Sequence, residues 1–119
     1  MEAAERWLDE MHAAPKTVYF ASLAIEEIVT NCIRYGYEDT GEHRILIALR
    51  VADGRLTMQT VDDGRPFDPL AAPKPDLSVD LESRVEGGLG IHLLRSLADE
   101  MTYEWSGGHN RITLVKALA

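Results

Sequence analysis

Cysteine occurs only once in this sequence, at Cys32, so no disulfide can form within the chain. A single cysteine is typical of proteins from a reducing compartment, and we therefore expect a cytoplasmic protein. Cys32 lies in the apolar part of a predicted helix, which favours a buried structural thiol over a reactive one. No apolar run approaches the ~18 residues that a bilayer-spanning helix needs. The acidic, amphipathic N-terminus also differs from a secretory signal peptide.

Positive charge is scarce as well. The chain has 12 Lys and Arg against 20 Asp and Glu, which gives a formal net charge of −8. This imbalance argues against general affinity for nucleic-acid backbones, because those are bound by clustered basic side chains. It does not exclude a nucleotide, which backbone N–H groups and a divalent cation can hold. The 119 residues, 1–119, are expected to form one domain.

Hydrophobic periodicity predicts three helices and four strands. The helices are predicted at residues 3–13, at 17–37 and from the glycines at 87–90 to about residue 100. The strands are predicted at residues 43–52, 55–63, 101–106 and 111–118. The pair Asp53-Gly54 predicts a tight hairpin between the first two strands, and residues 107–110 are the predicted turn between the last two. Paired strands with helices set apart predict an α+β two-layer sandwich, in which a mixed, largely antiparallel sheet carries the helices on one face.

Residues 66–86 form a long segment without helix or strand periodicity. They contain four of the five prolines of the chain, followed by a mixed polar stretch. Loops of this length inside a small domain are usually lids, binding loops or disordered segments. We therefore predict that the segment is a functional loop.

The second predicted helix carries a polar stripe of Glu27, Asn31 and Arg34. Glu27 precedes Asn31 by four residues, so their side chains lie one turn apart on the same face. A carboxylate in such a pair can take a proton from an attacking group, and a carboxamide oxygen can bind a hard cation. A solvated helix face explains the same stripe, although Asn31 is a mediocre helix former. Glu26 points in another direction, which makes Glu27 the better candidate.

Asp62 and Gly64 stand at the end of the second predicted strand, in the sequence VDDGRPFDP. A carboxylate at a strand end can accept a hydrogen bond from an exocyclic amine such as that of adenine. The glycine permits a close approach of the backbone. Asp-Gly-x-Pro is also ordinary turn chemistry, so a surface turn is the alternative interpretation.

Gly88 and Gly90 stand at the start of the third predicted helix, in EGGLGIHLL. Backbone N–H groups at a helix start lie at the positive end of the helix dipole and suit a phosphate. The segment is not a P-loop, because no Gly-Lys-Ser/Thr follows. It is not a dinucleotide-binding fingerprint either, because no strand precedes it. A simple turn at a helix start is the alternative.

Taken in this order and at these intervals, the three motifs resemble the N box, the first glycine box and the second glycine box of Bergerat-fold ATPases, such as gyrase and the histidine kinases. Within that superfamily, the sequences EEIVTNCIRYGY, DDGRPFDP and GGLGIHLLRSLADE look most like those of the anti-sigma-factor serine kinases, which are histidine-kinase-like ATPase regulators. The resemblance runs from about residue 20 to the end of the chain. It implies that ATP lies between the N-box helix and a mobile lid at residues 66–86.

The resemblance also implies roles at the phosphate end of the nucleotide. Asn31 would bind the Mg²⁺ that bridges the phosphates, and Glu27 would be the general base that activates the hydroxyl of a partner serine or threonine. Gly88 and Gly90 would present backbone N–H groups to the phosphates. Arg34 would meet a phosphate.

At the base end, the resemblance implies that Asp62 holds the adenine amine and that Gly64 lets the base approach. The superfamily tends to have a threonine near the adenine pocket. Asn110 and Thr113 fall in the corresponding region of this chain, and Thr113 is the predicted match.

The function that the resemblance implies is an ATP-dependent serine/threonine kinase. Its substrate would be an anti-sigma-factor antagonist with a STAS-type domain, and it would also sequester a sigma factor and so regulate transcription. Family members often dimerise through a strand that precedes the first helix. This sequence starts in a predicted helix without that strand, so the resemblance alone does not decide between a monomer and a homodimer.

Two alternatives depend on departures from the family pattern. Kinase-competent members often carry a basic residue two before the second glycine box, where this chain has Glu86, with Arg84 the nearest arginine. The first alternative is therefore a non-catalytic module that holds nucleotide and switches partners. The second, the ATPase half of a histidine kinase, is disfavoured because no long dimerisation helix with a phosphoacceptor histidine is visible.

Overall fold

The computed structural model describes residues 2–37, 41–71 and 88–119. Within them, helices and strands form two layers, and the predicted α+β class is confirmed. The helices are α1 (Glu2–Glu10), α2 (Pro15–Asn31) and α3 (Gly88–Leu97), and a π-helical turn (Cys32–Gly36) extends α2. The strands are β1 (Ile45–Ala52), β2 (Arg55–Asp62), β3 (Glu100–Ser106) and β4 (His109–Ala117). Most of the predicted lid, together with Arg84 and Glu86, lies outside the described residues.

The observed helix bounds differ from the predicted ones at several ends. Helix α3 ends at Leu97 instead of about residue 100, where β3 already begins. Helix α1 ends at Glu10 instead of residue 13. Helix α2 begins at Pro15, which the sequence analysis placed before the helix. Proline is tolerated in a first turn because the N–H group that it lacks would have no partner there. The α-helical part of α2 stops at Asn31, and the π-helical turn completes the predicted segment up to Gly36.

Strands β1 and β2 form the predicted hairpin through Asp53 and Gly54. Both residues have positive φ angles, of 55° and 72°. Positive φ at both central residues is the conformation of a type I′ turn, whose twist matches that of the flanking strands. The prediction made from the Asp-Gly pair is confirmed.

The hairpin of β3 and β4 also turns on two residues, Gly107 and Gly108, whose φ angles are 61° and 79°. Ser106 pairs directly with His109, so the residues on either side of the two glycines already belong to strands β3 and β4. The predicted turn at 107–110 was therefore too long. As a consequence Asn110 lies within β4, where its side-chain direction is set by the sheet.

The sheet has the strand order β1-β2-β4-β3, and all of its described strand pairs are antiparallel. Alternate residues of β2 are buried under the helices, and Asp62 is the last of them. In the β2–β4 register Met58 lies opposite Leu114, and Asp62 lies opposite Asn110. The covered face of the sheet is therefore apolar along most of these strands and ends in a polar pair.

The hydrophobic core lies between this face and the helices. Its buried members are Leu8, Phe20, Ala21, Ala24, Ile28, Cys32, Leu56, Met58, Ile91, Leu94, Ile112 and Leu114. The hydroxyl of Thr17 donates to the carbonyl oxygen of Ala117 at 2.7 Å, which joins the start of α2 to the end of β4. Helices long and apolar enough to cross a membrane are not found among the described residues.

Candidate functional site

A cavity of about 300 Å³ opens where the end of α2 meets α3 and the ends of β2 and β4. Two residues predicted from separate motifs, Asn31 and Asp62, both line it. The other lining residues are Ile28, Cys32, Tyr35, Gly36, Arg65, Pro66, Phe67, Ile91, Asn110 and Ile112. An apolar cavity with a few polar groups is the usual form of a small-molecule site, and this volume lies at the lower end of the range for such sites.

One wall of the cavity is formed by the junction of α2 with the π-helical turn. Asn31, Cys32, Tyr35 and Gly36 all line the cavity. Residues spaced in this way share one face of a helix, and Ile28 on α2 adds a fifth lining residue from the same continuous helical segment. π-Helical turns inside longer helices occur frequently at functional sites.

Asp62 is buried at the end of β2, with 4% of its surface exposed. Its Oδ1 atom accepts hydrogen bonds from the backbone N–H of Gly64 at 2.9 Å and from Nδ2 of Asn110 at 3.0 Å. Its Oδ2 atom accepts a hydrogen bond from the thiol of Cys32 at 3.3 Å. These donors offset the cost of removing a carboxylate from water and hold the side chain in one orientation.

Cys32 is buried, as the sequence analysis predicted. Its burial, followed by the charge of Asp62 and the hydrogen bond to it, raises the pKa of the Cys32 thiol to about 12. Each of these effects disfavours the thiolate. The thiol therefore stays protonated at neutral pH and acts as a hydrogen-bond donor to Asp62.

Asn110 links Asp62 to the loop that follows β2. Besides its bond to Asp62, its Nδ2 atom donates to the carbonyl oxygen of Arg65 at 2.8 Å. Its Oδ1 atom accepts from the backbone N–H of Phe67 at 2.9 Å and from the hydroxyl of Tyr103 at 2.6 Å. The local sequence favours a turn at Asn110, so this role is not predicted from the sequence. The signal lies in the pairing of β2 with β4, which a single sequence does not reveal.

The same loop packs directly on the π-helical turn. A Cβ atom on Gly64 would lie 2.9 Å from the carbonyl oxygen of Gly36, so a larger residue would force the backbones apart. The backbone N–H of Arg65 donates to that carbonyl oxygen at 2.8 Å. The Arg65 guanidinium also donates to the carbonyl oxygen of Tyr35 at 2.7 Å. These contacts fix the end of α2 relative to Asp62.

Glu27 on α2 contacts Gly90 on α3. A Cβ atom on Gly90 would overlap the side chain of Glu27, so glycine is needed for the two helices to approach with Glu27 in this position. Glu27 is partly buried, whereas Glu26 is exposed, in agreement with the preference for Glu27. Gly88 is the first residue of α3. The predicted base thus lies against a helix start, where backbone N–H groups lack partners within the helix.

Two other predicted residues lie outside the cavity lining. Arg34 is exposed on the π-helical turn. Thr113 is on the sheet face away from the helices, where its Oγ1 atom accepts a hydrogen bond from Nε2 of Gln59 at 3.3 Å. Successive residues of a strand point to opposite faces, so Thr113 cannot share the direction of Asn110 and Ile112. Of the two candidates in β4, the structure brings Asn110 into the cavity.

The side chains that line the cavity suit a metal ion that is bound partly by the protein and partly by a nucleotide. Residues 2–37, 41–71 and 88–119 contain no cluster of three or more His, Cys, Asp or Glu that could hold a metal ion. Mg²⁺ commonly takes only one or two protein ligands and completes its shell with phosphates and water. The carboxamide oxygen of Asn31, on the cavity wall, is a hard donor that fits this role.

Comparison with known proteins agrees with the predicted family. Residues 1–116 match the family model of the histidine kinase-like ATPase domain. Three relatives are serine/threonine-protein kinase BtrW of Bordetella bronchiseptica, serine-protein kinase RsbW of Bacillus subtilis and the anti-sigma F factor of Clostridium botulinum. Their identities are 26%, 30% and 28%, over 78%, 77% and 68% of this chain. The matches cover 66%, 58% and 57% of those proteins, so the chain spans less than two thirds of their length.

A solved structure is similar at the level of the fold. The histidine kinase AdeS of Acinetobacter baumannii superimposes with a TM-score of 0.56 at 16% sequence identity. The match covers 85% of this chain and 47% of that one. The chain therefore belongs to the family of histidine kinase-like ATPase domains.

Proposed function

We propose that this chain binds Mg·ATP and transfers the γ-phosphoryl group to a serine or threonine of an anti-sigma-factor antagonist with a STAS-type domain. In the same proposal it also sequesters a sigma factor. Relatives named serine-protein kinase and anti-sigma F factor support a regulatory kinase. The observation that carries the proposal is that Asn31 and Asp62 line the same cavity. The pair offers a ligand for the metal ion and a hydrogen-bond acceptor for the adenine amine in one site.

The base of the nucleotide would occupy the apolar part of the cavity. Ile28, Ile91 and Ile112 supply apolar walls for a flat ring, and Asp62 supplies the acceptor for its exocyclic amine. Phe67, at the start of the predicted lid, lines the same cavity.

The phosphates would lie towards the start of α3, where Gly88 and Gly90 contribute backbone N–H groups. Asn31 would hold Mg²⁺ through its carboxamide oxygen, and Arg34 would add positive charge. When bound, the cation neutralises charge on the phosphates, which is the main requirement of phosphoryl transfer together with positioning.

Glu27 would act on the protein substrate. Its carboxylate takes the proton of the attacking hydroxyl as the new oxygen–phosphorus bond forms. The bond between the γ-phosphorus and the bridging oxygen breaks, and ADP leaves. The contact of Glu27 with Gly90 supports this role, because it places the carboxylate at the helix start that would receive the phosphates.

Titration calorimetry with Mg·ATP tests the site. The wild type is expected to bind, and Asn31→Ala should lose the Mg²⁺-dependent part of the affinity. Glu26→Ala is the matched control, because Glu26 is exposed on the same helix. Absence of binding by the wild type would overturn the nucleotide site, and an unchanged titration of Asn31→Ala would remove the role of Asn31.

A transfer assay separates the kinase from a non-catalytic partner-switching module. The wild type is incubated with radiolabelled Mg·ATP and with purified STAS-domain proteins of the same organism. Phosphoserine or phosphothreonine on one of them supports the kinase. Binding of ATP without transfer to any of them would favour the non-catalytic module.

A further inference from the structure

The protein itself uses most of the hydrogen-bonding capacity of Asp62. An ionised carboxylate offers about four acceptor positions, two on each oxygen. The donors Gly64 and Asn110 use both positions on Oδ1. Cys32 uses one position on Oδ2. Within the part of the chain that the structure describes, one acceptor position remains, and it is on Oδ2 of a side chain that lines the cavity.

Cys32 is suited to hold this arrangement because its buried sulfur lies 3.3 Å from Oδ2 of Asp62, with the thiol donating to that oxygen. A donor bound to one lone pair of Oδ2 opposes rotation of the carboxylate. The thiol of Cys32 therefore fixes the direction in which the remaining lone pair of Oδ2 can accept a hydrogen bond.

Asn110 has no hydrogen-bonding capacity left for a ligand. Its two N–H donors face acceptors on Asp62 and Arg65, and its oxygen accepts from Phe67 and Tyr103. With two donors and two lone pairs, the carboxamide is fully used. Asn110 can therefore influence a bound base only through Asp62.

We propose that Cys32 and Asn110 are positioning residues that set base preference, by leaving Asp62 a single oriented acceptor for an exocyclic amine. This inference rests on the proposed ATP site. A purine that carries an amine at this position donates to the free lone pair of Oδ2. A purine without the amine forgoes that bond, and one with a carbonyl group there sets two acceptors against each other.

The test compares two triphosphates that differ only in the amine, ATP and purine riboside triphosphate. Calorimetry with Mg²⁺ measures both affinities for the wild type, Cys32→Ala and Cys32→Ser. Cys32→Ala should lose about 2–10-fold in ATP affinity, the usual worth of one hydrogen bond. Its affinity for the analogue should change little, so the ratio of the two affinities falls. Cys32→Ser keeps a donor and should restore the ratio.

A purely structural role of the thiol would lower both affinities together, or only the thermal stability. An unchanged ratio in Cys32→Ala would therefore overturn the inference while leaving the ATP site intact. A wild type that binds neither triphosphate would overturn the site and the inference together. Thermal unfolding of each variant is measured alongside, and Cys32→Val, which fills the space without a donor, replaces Cys32→Ala if the latter does not fold.

Discussion

Gly64 lies directly against the backbone of Gly36. A Cβ atom on Gly64 would stand 2.9 Å from the carbonyl oxygen of Gly36 and 3.1 Å from its Cα atom. The relationship is not symmetric, because a Cβ atom on Gly36 would meet the Cα atom of Gly64 at 3.8 Å, an ordinary contact. This approach joins the end of α2 to the strand end that carries Asp62. The two halves of the proposed site therefore depend on it.

Gly64→Ala should lower the free energy of unfolding by about 1–3 kcal/mol, because the added methyl group meets backbone that can yield only by moving the loop or the helix end. Gly36→Ala is the matched control and should stay within about 1 kcal/mol of the wild type. Urea denaturation measures both. Equal stability of the two variants would contradict the close approach.

Glu27→Gln should reduce phosphoryl transfer by about 10²–10⁴-fold, because the amide cannot take the proton of the attacking hydroxyl. Binding of Mg·ATP should be kept, since Glu27 does not line the cavity. Glu26→Gln, on the exposed neighbour, controls for the loss of one charge from the helix. Equal transfer rates for the wild type and Glu27→Gln would rule out Glu27 as the base.

Thr60→Val should raise the free energy of unfolding by about 1 kcal/mol. The hydroxyl of Thr60 is buried and finds no hydrogen-bond partner among the described residues, so a methyl group of similar size removes an unsatisfied polar atom. Thr17→Val is the contrasting control, since the equally buried hydroxyl of Thr17 donates to Ala117, and it should be destabilising by a similar amount. Thermal or urea unfolding measures the change in the free energy of unfolding for both variants. Loss of stability in Thr60→Val would show that the Thr60 hydroxyl has a hydrogen-bond partner.

Cys32 should make stability depend on pH in the alkaline range. The thiol pKa is raised from 9.0 to about 12 by folding. Between these values the unfolded chain releases the proton while the folded chain keeps it, so the free energy of unfolding falls as pH rises. The contribution of the neutral thiol is complete below pH 9 and is lost as pH approaches about 12.

Urea denaturation of the wild type and of Cys32→Ser, from about pH 8 to about pH 11, measures this contribution. The wild type should lose more stability than the variant over this interval. All other side chains are the same in the two proteins, so the difference isolates the thiol. Parallel curves would mean that Cys32 keeps its ordinary pKa in the fold.

Local signals accounted for the parts of the fold that depend on neighbouring residues. Asp53 and Gly54 determine a turn because both accept positive φ, and that preference needs no tertiary partner. The turn of the second hairpin is shorter than predicted. Gly107 and Gly108 alone complete it, whereas His109 and Asn110, residue types common in turns, belong to β4. Strand pairing overrode that local preference.

The motif order in the sequence was sufficient to recognise the family, which the match over residues 1–116 confirms. It also named Glu27 and Asn31, because a helical repeat places them on one face by local geometry alone. The assignment of roles to these residues stays a prediction that the variants above test.

The sequence by itself determined the helices, the hairpins and the family, because periodicity, turn preference and motif spacing are all properties of adjacent or regularly spaced residues. Only the tertiary structure decided that β4 lies beside β2, and hence that Asn110 and not Thr113 faces the cavity. It also decided that the Cys32 thiol meets Asp62. These contacts join residues far apart in the chain, and they form because burying the shared core fixes one register of the sheet beneath α2.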